Sequence, residues 1–387
     1  MSMHAAAFET FRHKFITRLW EDIAPMEEEI EATDRIPWDR LRPILLDIGA
    51  FGLLVPKEYG GSGLSVTQYV PLLAELSKIH GGIRAALHVH NSAAKMFLVG
   101  ASEEQRRAIL PGLAQGKKSV AFALTEPDHG TGKDLGTTAR RDGDQYVVNG
   151  RKWLITNSDF ASHFFLVCRT AREDVSVLLV DRDQPGLTIE ALAESMGCKG
   201  SEHGVLTFRD ARVPVANRIG EEGTGIEQAL QGLELSRLFI AIAALGTAEY
   251  SLELSLAHAK RRVTFGKPIA ARQAVQRYLA EMATDIHALR EIVRDAAAKA
   301  DEGRRIPVEA SVCKLFGLEA VGRVTDRALL VHGGIGYTRK TPIDRLYRDA
   351  RLNWLEEGTP TIQQLVIARE LLEGRFPLSR RESAATA

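Results

Sequence analysis

The sequence predicts an α+β chain of three domains. These are an N-terminal α-helical domain over residues 1–118, a middle β-barrel or sandwich over 119–222, and a C-terminal four-helix-bundle domain over 223–387. Three observations predict it. Apolar residues recur at helical spacing through the first 120 residues and again beyond residue 225. Between them lie short runs rich in β-branched and aromatic residues, with Gly, Asp, Asn or Pro at intervals of roughly 8–12 residues. The length, 387 residues, allows two or three domains with sizeable cores.

In chain order, the first helix spans 8–31, with Phe11, Phe15, Leu19 and Ile23 spaced one turn apart and Pro25 kinking or splitting it. The next spans 38–49 and stops at Gly49. Pro56, Gly60, Gly61 and Gly63 mark a loop, and Ser65 caps a helix over 66–79. Two more helices cover 83–98 and 103–113. The pattern changes at S-V-A-F-A-L-T (119–125), a buried strand. Further strand-like runs follow, and Asn149-Gly150 between two of them reads as a hairpin turn. The runs 226–258, 271–302, 307–332 and 359–372 are long, Ala/Leu/Arg-rich helices that bury stripes against one another.

Composition excludes several functions. Hydrophobic residues at 45% and charged residues at 26% argue against disorder. Fifty basic and fifty acidic side chains cancel, so the basic excess of a nucleic-acid binder is missing. Cys168, Cys198 and Cys313 are too scattered for a disulfide framework or a four-cysteine zinc site and fit a reducing compartment. His88 and His90 face different sides of a helix and read as structural, so no metal is expected. The longest apolar stretches, such as 238–246, are too short for a bilayer, and no signal-peptide core opens the chain. The expectation is a cytoplasmic protein without a membrane partner.

Several segments carry chemistry. No phosphate-binding P-loop or Rossmann glycine pattern is present. Thr125, Glu126 and Pro127, followed by Gly130 and Thr131, make a loop with hydroxyl donors and close backbone access, either a cofactor cradle or an ordinary turn. R-V-T-F-G-K-P (262–268) interrupts the helices with cations, as a basic loop or a phosphate site. H-G-G-I-G (332–336) is too glycine-dense for a helix interior and marks a turn where a ligand or another backbone comes close. Glu356 and Glu357 precede the last helix, as dipole-favoured acids or as a base in an apolar cleft.

Taken together, the chain resembles the acyl-CoA dehydrogenase family over nearly its whole length. The matching stretches run in order. They are A-L-T-E-P (123–127), N-G-R-K (149–152) with I-T-N (155–157), 208–214 with G-E-E-G (220–223), R-V-T-F-G-K-P-I (262–269), Q-A-V-Q (273–276), V-H-G-G-I-G-Y (331–337), and R-D-A-R (348–351) with E-G-T (357–359). The resemblance implies FAD and an acyl-CoA thioester. A carboxylate removes the α-proton while the β-hydride passes to flavin N5, giving a 2-enoyl thioester. The developing enolate is stabilised by a ribityl hydroxyl and the N–H of the base. An electron-transfer flavoprotein then takes the electrons.

Carried across residue by residue, the resemblance makes Glu357 the base. Ser236, on L-E-L-S-R (233–237), stands at the alternative base position of some members. Phe122, Leu124, Thr125, Gly130 and Thr131 would line the flavin, with Thr156 at its N5 edge. Arg262, Thr264, Phe265 and Gln273 would bind the pyrophosphate and adenosine of a neighbouring subunit's FAD, beside Gly333 and Gly334. Thr359 and Thr361 would reach the flavin diphosphate. Thr131, Glu234, Arg237 and Gly358 would contact substrate. A shared cofactor implies an obligate homotetramer, a dimer of dimers.

The sequence departs from the pattern at four places. Leu330 replaces a usual Gln near FAD. Leu154 replaces a Trp over the flavin, and Trp153, one residue early, should point elsewhere by strand alternation. The loop after Gly130 reads T-G-K-D and is one residue shorter. Glu356 replaces Tyr, and either raises the proton affinity of Glu357 or faces solvent. Arg84, in G-I-R-A-A-L-H-V-H-N (82–91), matches the arginine of glutaryl-CoA dehydrogenase-like members, where it holds a distal carboxylate. One alternative is a plain short or branched acyl chain; another places Arg84 on a solvated helix face. The functional reading is therefore dehydrogenation of a short-chain, carboxylated or branched acyl-CoA. The rivals are glutaryl-type oxidative decarboxylation, enoyl-CoA reduction, and a non-catalytic FAD or acyl-thioester-binding scaffold.

Overall fold

Pro25 does split the first helical stretch. The computed structural model describes residues 3–129, 134–192 and 194–376. In it, α1 (Ala5–Arg18) passes through a π turn at Leu19–Ile23 and a 3₁₀ turn at Ala24–Met26 before α2 (Glu27–Thr33). Proline has no N–H to donate and its ring crowds the carbonyl one turn back, so the ladder changes register around it. Helix α3 (Trp38–Asp47) ends ahead of Gly49, whose φ is 67°. Helix α4 (Val66–Ile79) opens with a reciprocal cap: the Gln68 N–H donates to Ser65 Oγ at 3.2 Å, and the Ser65 N–H to Gln68 Oε1 at 3.3 Å. Helices α5 (Gly81–Gly100) and α6 (Glu103–Ala114) complete the segment.

The described residues form two compact units. The first comprises Met1–Leu72 with Gly82–Leu233, the second Leu73–Gly81 with Glu234–Ala387. In the first, strands β1 (Val120–Ala123), β2 (Thr138–Asp142), β3 (Gln145–Thr156), β4 (His163–Arg169), β5 (Val175–Asp181), β6 (Leu187–Ala191), β7 (His203–Pro214) and β8 (Arg218–Ile219) form one mixed sheet. Its order is β6-β7-β3-β2-β4-β5-β8, and β1 runs parallel to β4. Strands β4 and β5 are apolar almost throughout because both faces are covered. Phe165, Val167, Val177 and Leu179 pack with Phe97 and Leu110 of the helices, while Phe164, Leu166, Leu178 and Val180 pack with Tyr146, Leu206 and Val213 of the sheet.

Two strand expectations are corrected. Asn149-Gly150 is not the hairpin turn. It lies inside β3, and the β2–β3 turn is Gly143-Asp144. Asn149 instead joins β3 to β7, exchanging bonds with the Asp210 N–H (2.9 Å) and its carboxylate (3.0 Å). Gly150 is needed for space: with φ 144°, a Cβ there would lie 2.5 Å from Thr137 Cα. Strand alternation also fails at Trp153 and Leu154. A bulge between Lys152 and Ile155, with Leu154 at φ 56°, leaves both side chains exposed.

The second unit is helical. Helix α7 (Gly225–Arg261) enters it at Glu234, and α8 (Gln273–Asp301), α9 (Pro307–His332) and α11 (Pro360–Leu372) follow the predicted runs. A fifth helix, α10 (Ile343–Asn353), was not among the predicted elements. It is short, and half its buried positions are polar (Arg345, Asp349, Asn353), so only Ile343, Leu346 and Ala350 mark its buried side in the sequence. Arg345 pairs with Asp349 at 3.3 Å and donates to the Lys78 carbonyl at 3.2 Å. Helix α7 corrects the bilayer estimate. It is long and apolar enough to cross a membrane by length and composition, but its apolar stretch is mostly buried inside the protein.

His90, fully enclosed in the first unit, shares its Nε2–H between the Phe51 and Leu113 carbonyls, each at 3.1 Å. Burial pulls its pKa down to about 4, against the two carbonyl bonds, which favour the proton. The unfolded chain takes up a proton near the ordinary value of 6.5, whereas the folded one resists until about 4. Stability is therefore lost as pH falls across that window, by about 3 kcal/mol in total. Urea titrations from pH 7 to 4 should show this loss in the wild type and a flatter profile in His90→Gln; parallel profiles would refute it.

Candidate active site

In the first unit, a buried ion pair organises the loop that follows β1. Lys152, on β3 and without solvent exposure, donates to Glu126 Oε1 at 2.8 Å and to the Leu124 carbonyl at 2.9 Å. Glu126 also accepts the N–H groups of Gly136 (2.6 Å) and Thr137 (3.0 Å). Burial pushes the Glu126 carboxyl up, but the bonds from Lys152 and Thr137 outweigh it and hold it below its ordinary value. Lys152, Gly136 and Thr137 are thus tied to one carboxylate. Thr125 is half-buried beside it, its carbonyl accepting the Trp153 N–H at 2.8 Å. Gly130 and Thr131, assigned to flavin and substrate, lie outside the described residues.

The other first-unit candidates cluster at the ends of β1 and β3. Leu124 is buried, Phe122 and Thr156 half-buried, and Leu154 46% exposed. Asn157, next to Thr156, has φ 68° and donates to the Ala86 carbonyl of α5 at 3.0 Å, so the β3 end is tied to the helix that carries Arg84. Arg84 is only 3% exposed, which removes the solvated-face reading. Its guanidinium lies 4.0 Å from Cys198 Sγ, and its charge acts on buried Tyr69.

In the second unit, Glu357 and Gly358 form a left-handed turn, φ 56° and 90°, ahead of α11. Three side chains hold its carbonyls. Gln363 Nε2 donates to Glu357 O (3.2 Å) and Gly358 O (2.9 Å), Arg237 Nε to Glu357 O (3.4 Å), and Lys314 Nζ to Gly358 O. Lys314 and Gln363 are fully buried. Burial lowers the Lys314 pKa to about 8 against the attraction of Glu356 and Glu357. Burial likewise lowers that of Arg237, opposed by Glu357 and Glu234.

Glu234 is drawn elsewhere. It pairs with Arg305 (2.9 and 3.0 Å to Nε) and accepts the Ile306 N–H at 3.3 Å, so its carboxylate braces the start of α9 rather than standing open to substrate. Ser236 is buried. Arg262, Thr264 and Phe265 lie in and beside the β9–β10 hairpin (Val263–Thr264 and Lys267–Pro268). Phe265, at the turn with φ 47°, is 95% exposed, and Arg272 lies over its ring. Gln273 is exposed at the start of α8 and Leu330 is 56% exposed on α9. A Cβ at Gly333 or Gly334 would meet nothing within 4 Å. Thr359 caps α11 by position, and Thr361 is exposed in its first turn.

Sequence reasoning missed Lys152, Lys314 and Gln363. Each is a polar residue fully withdrawn from solvent, and no spacing rule marks it. Among the described residues, no cluster of metal-ligating side chains occurs.

Comparison with known proteins bears on this arrangement. Family models described as acyl-CoA dehydrogenase N-terminal, middle and C-terminal domains match residues 7–117, 121–211 and 223–372. An acyl-CoA dehydrogenase of Bacillus subtilis is 38% identical over 360 residues, covering 92% of this chain and 95% of its own. An acryloyl-CoA reductase (NADH) of Anaerotignum propionicum is 36% identical over 361 residues, 91% of each chain. The solved butyryl-CoA dehydrogenase of Megasphaera elsdenii superposes with a TM-score of 0.91 at 30% identity, covering 96% of this chain and 99% of its own. With all three domains matched in order along a helical–sheet–helical chain, this protein belongs to the acyl-CoA dehydrogenase family, FAD-dependent oxidoreductases that act on CH–CH groups.

Proposed function

We propose that the chain dehydrogenates a short-chain acyl-CoA between Cα and Cβ, with Glu357 as the α-proton base. The observation that carries this reading is the turn at Glu357: a carboxylate and a backbone N–H held in one left-handed turn by donors from α7, α9 and α11. Glu357 takes the α-proton, and its own N–H, set by the same turn, stabilises the negative charge that develops on the thioester oxygen. Without that donor the α-carbon is too weak an acid for a carboxylate to deprotonate.

The residues present fit FAD. Half-buried hydroxyls at Thr125 and Thr156 suit the polar edge of an isoalloxazine, and Leu124 and Phe122 its apolar face. Arg262, the exposed Phe265, Gln273, and the open backbone at Gly333 and Gly334 suit a pyrophosphate and an adenine. Thr359 and Thr361, at a helix N-terminus, suit a diphosphate. The chemistry FAD supplies is acceptance of the β-hydride at N5. Leu154 and Leu330 take apolar roles where family members carry Trp and Gln.

The domain limits proposed are 1–118, 119–222 and 223–387. The assembly proposed is a homotetramer in the cytoplasm with an electron-transfer flavoprotein as acceptor. Exposed Val263, Phe265, Leu330, Ile335 and Tyr337 in the second unit support burial against another subunit. Likeness to an acryloyl-CoA reductase favours a second reading, enoyl-CoA reduction. The same base serves it in reverse, returning a proton to Cα, and the potential of the electron partner sets the direction.

For the substrate, buried Arg84 supports a distal carboxylate on the acyl chain, held by two charge-assisted bonds. Arg84→Ala should raise KM for glutaryl-CoA far more than for butyryl-CoA. Equal effects on both would refute the clamp, and carbon dioxide release from glutaryl-CoA would mark the decarboxylating variant.

Anaerobic titration of the yellow holoprotein with butyryl-, isobutyryl-, isovaleryl-, octanoyl-, succinyl- and glutaryl-CoA should bleach the flavin with one class. Glu357→Gln should retain FAD and bind acyl-CoA but lose flavin reduction by at least about a hundredfold. Normal reduction in that variant would overturn the base assignment, and a chain unable to take up FAD would favour the scaffold.

A further inference from the structure

The turn at Glu357 is held more firmly than a helix-start loop requires. A non-glycine residue at positive φ carries a conformational cost of about 1–2 kcal/mol, so an isolated turn would relax. A buried ammonium is costlier still and persists only where oxygen atoms surround it. Here the two liabilities offset each other. Lys314 lies without solvent exposure on α9, and the carbonyl of Gly358, in the left-handed turn, accepts from it. Gln363, equally buried on α11, spans both carbonyls of the turn with one amide nitrogen.

We infer that Lys314 and Gln363 are positioning residues for Glu357, fixing through its carbonyl and that of Gly358 the backbone that carries both the basic carboxylate and the charge-stabilising N–H. This deepens the proposed function and rests on Glu357 as the base. The charged groups around the turn are Lys314 of α9, Arg237 and Glu234 of α7, Glu356 of the turn itself, and Arg369 of α11. Glu234 is matched by Arg305. Lys314 is thus a cation acting on Glu357 from beneath the turn, whereas Gln363 is neutral. The two clamps therefore have separable effects. Removing either loosens the backbone, but only removing Lys314 also withdraws a positive charge from the carboxylate, which makes it hold its proton to higher pH.

The test uses the FAD-loaded protein and its Lys314→Met, Gln363→Met and Glu357→Gln variants. Three quantities are read: the pH profile of flavin reduction by the best acyl-CoA, KM, and the ionisation of bound acetoacetyl-CoA followed by its enolate absorbance. The last reports the stabilising N–H and needs no base. Flavin content and thermal midpoint monitor folding. Both clamp variants should lose on the order of 10- to 100-fold in reduction rate with KM nearly unchanged, as for a misplaced catalytic group. Both should ionise bound acetoacetyl-CoA only at higher pH. The acid limb of the rate should move up by about one unit in Lys314→Met and stay in place in Gln363→Met.

Unchanged rates, limb and enolate ionisation in folded variants would overturn the inference. So would a rate loss that merely tracks flavin loss with enolate ionisation intact, which marks packing alone. If Lys314→Met does not fold, the rate and enolate ionisation of Gln363→Met decide. Full turnover in Glu357→Gln would sink the base assignment instead, leaving the enolate readout to judge the clamp by itself.

Discussion

A lysine ammonium taken out of water must be given oxygen atoms, and each unit of this protein contains one such group beside its candidate residues. In the first unit, Lys152 takes the Leu124 carbonyl and the Glu126 carboxylate, and Glu126 in turn gathers the N–H groups of Gly136 and Thr137. In the second, Lys314 takes the Gly358 carbonyl. The need to satisfy a buried charge thus becomes a means of fixing backbone in segments that belong to no helix or strand. Leaving either cation without its oxygens would cost several kcal/mol, which ties Leu124, Glu126, Gly136 and Thr137 in the first unit and Gly358 in the second to the buried ammonium groups.

Backbone strain collects at the same places. Among the described non-glycine residues, positive φ occurs at Leu154, Asn157, Cys198, Phe265 and Glu357, all candidate residues or their immediate neighbours, and otherwise only at Asp34 and Asp210. Such conformations persist where the surroundings over-determine them. Asn157 is tied to the Ala86 carbonyl, and Glu357 through its carbonyl to Gln363 and Arg237. Leu154 sits in a β-bulge whose effect is to turn two consecutive side chains out of the core.

Much of this fold was legible from pattern. Helical periodicity located α4, α6 and α9 because their buried faces are mainly apolar, and the Ser65 cap declared the start of α4. Strands β4 and β5 stood out as unbroken apolar runs because both faces are covered. Pattern failed where burial and polarity part company. Helix α10 is short and buries Arg345, Asp349 and Asn353, so too few apolar residues mark it in the sequence. Asn149-Gly150 has the composition of a turn but serves a cross-strand bond and a close approach to Thr137.

The sequence by itself determined the succession of helical, sheet and helical segments, the family and its FAD dependence, and the glutamate to nominate as base. These reside in residue identity and short-range order, which a linear reading preserves. Only the tertiary structure decided that Arg84 is buried, that Glu234 is bound to Arg305, and that Lys152, Lys314 and Gln363 hold the loops. Lys314 lies 44 residues from the carbonyl it binds and Glu234 lies 71 from Arg305. Such pairings arise when packed helices and strands close around a polar group, and local spacing carries no trace of them.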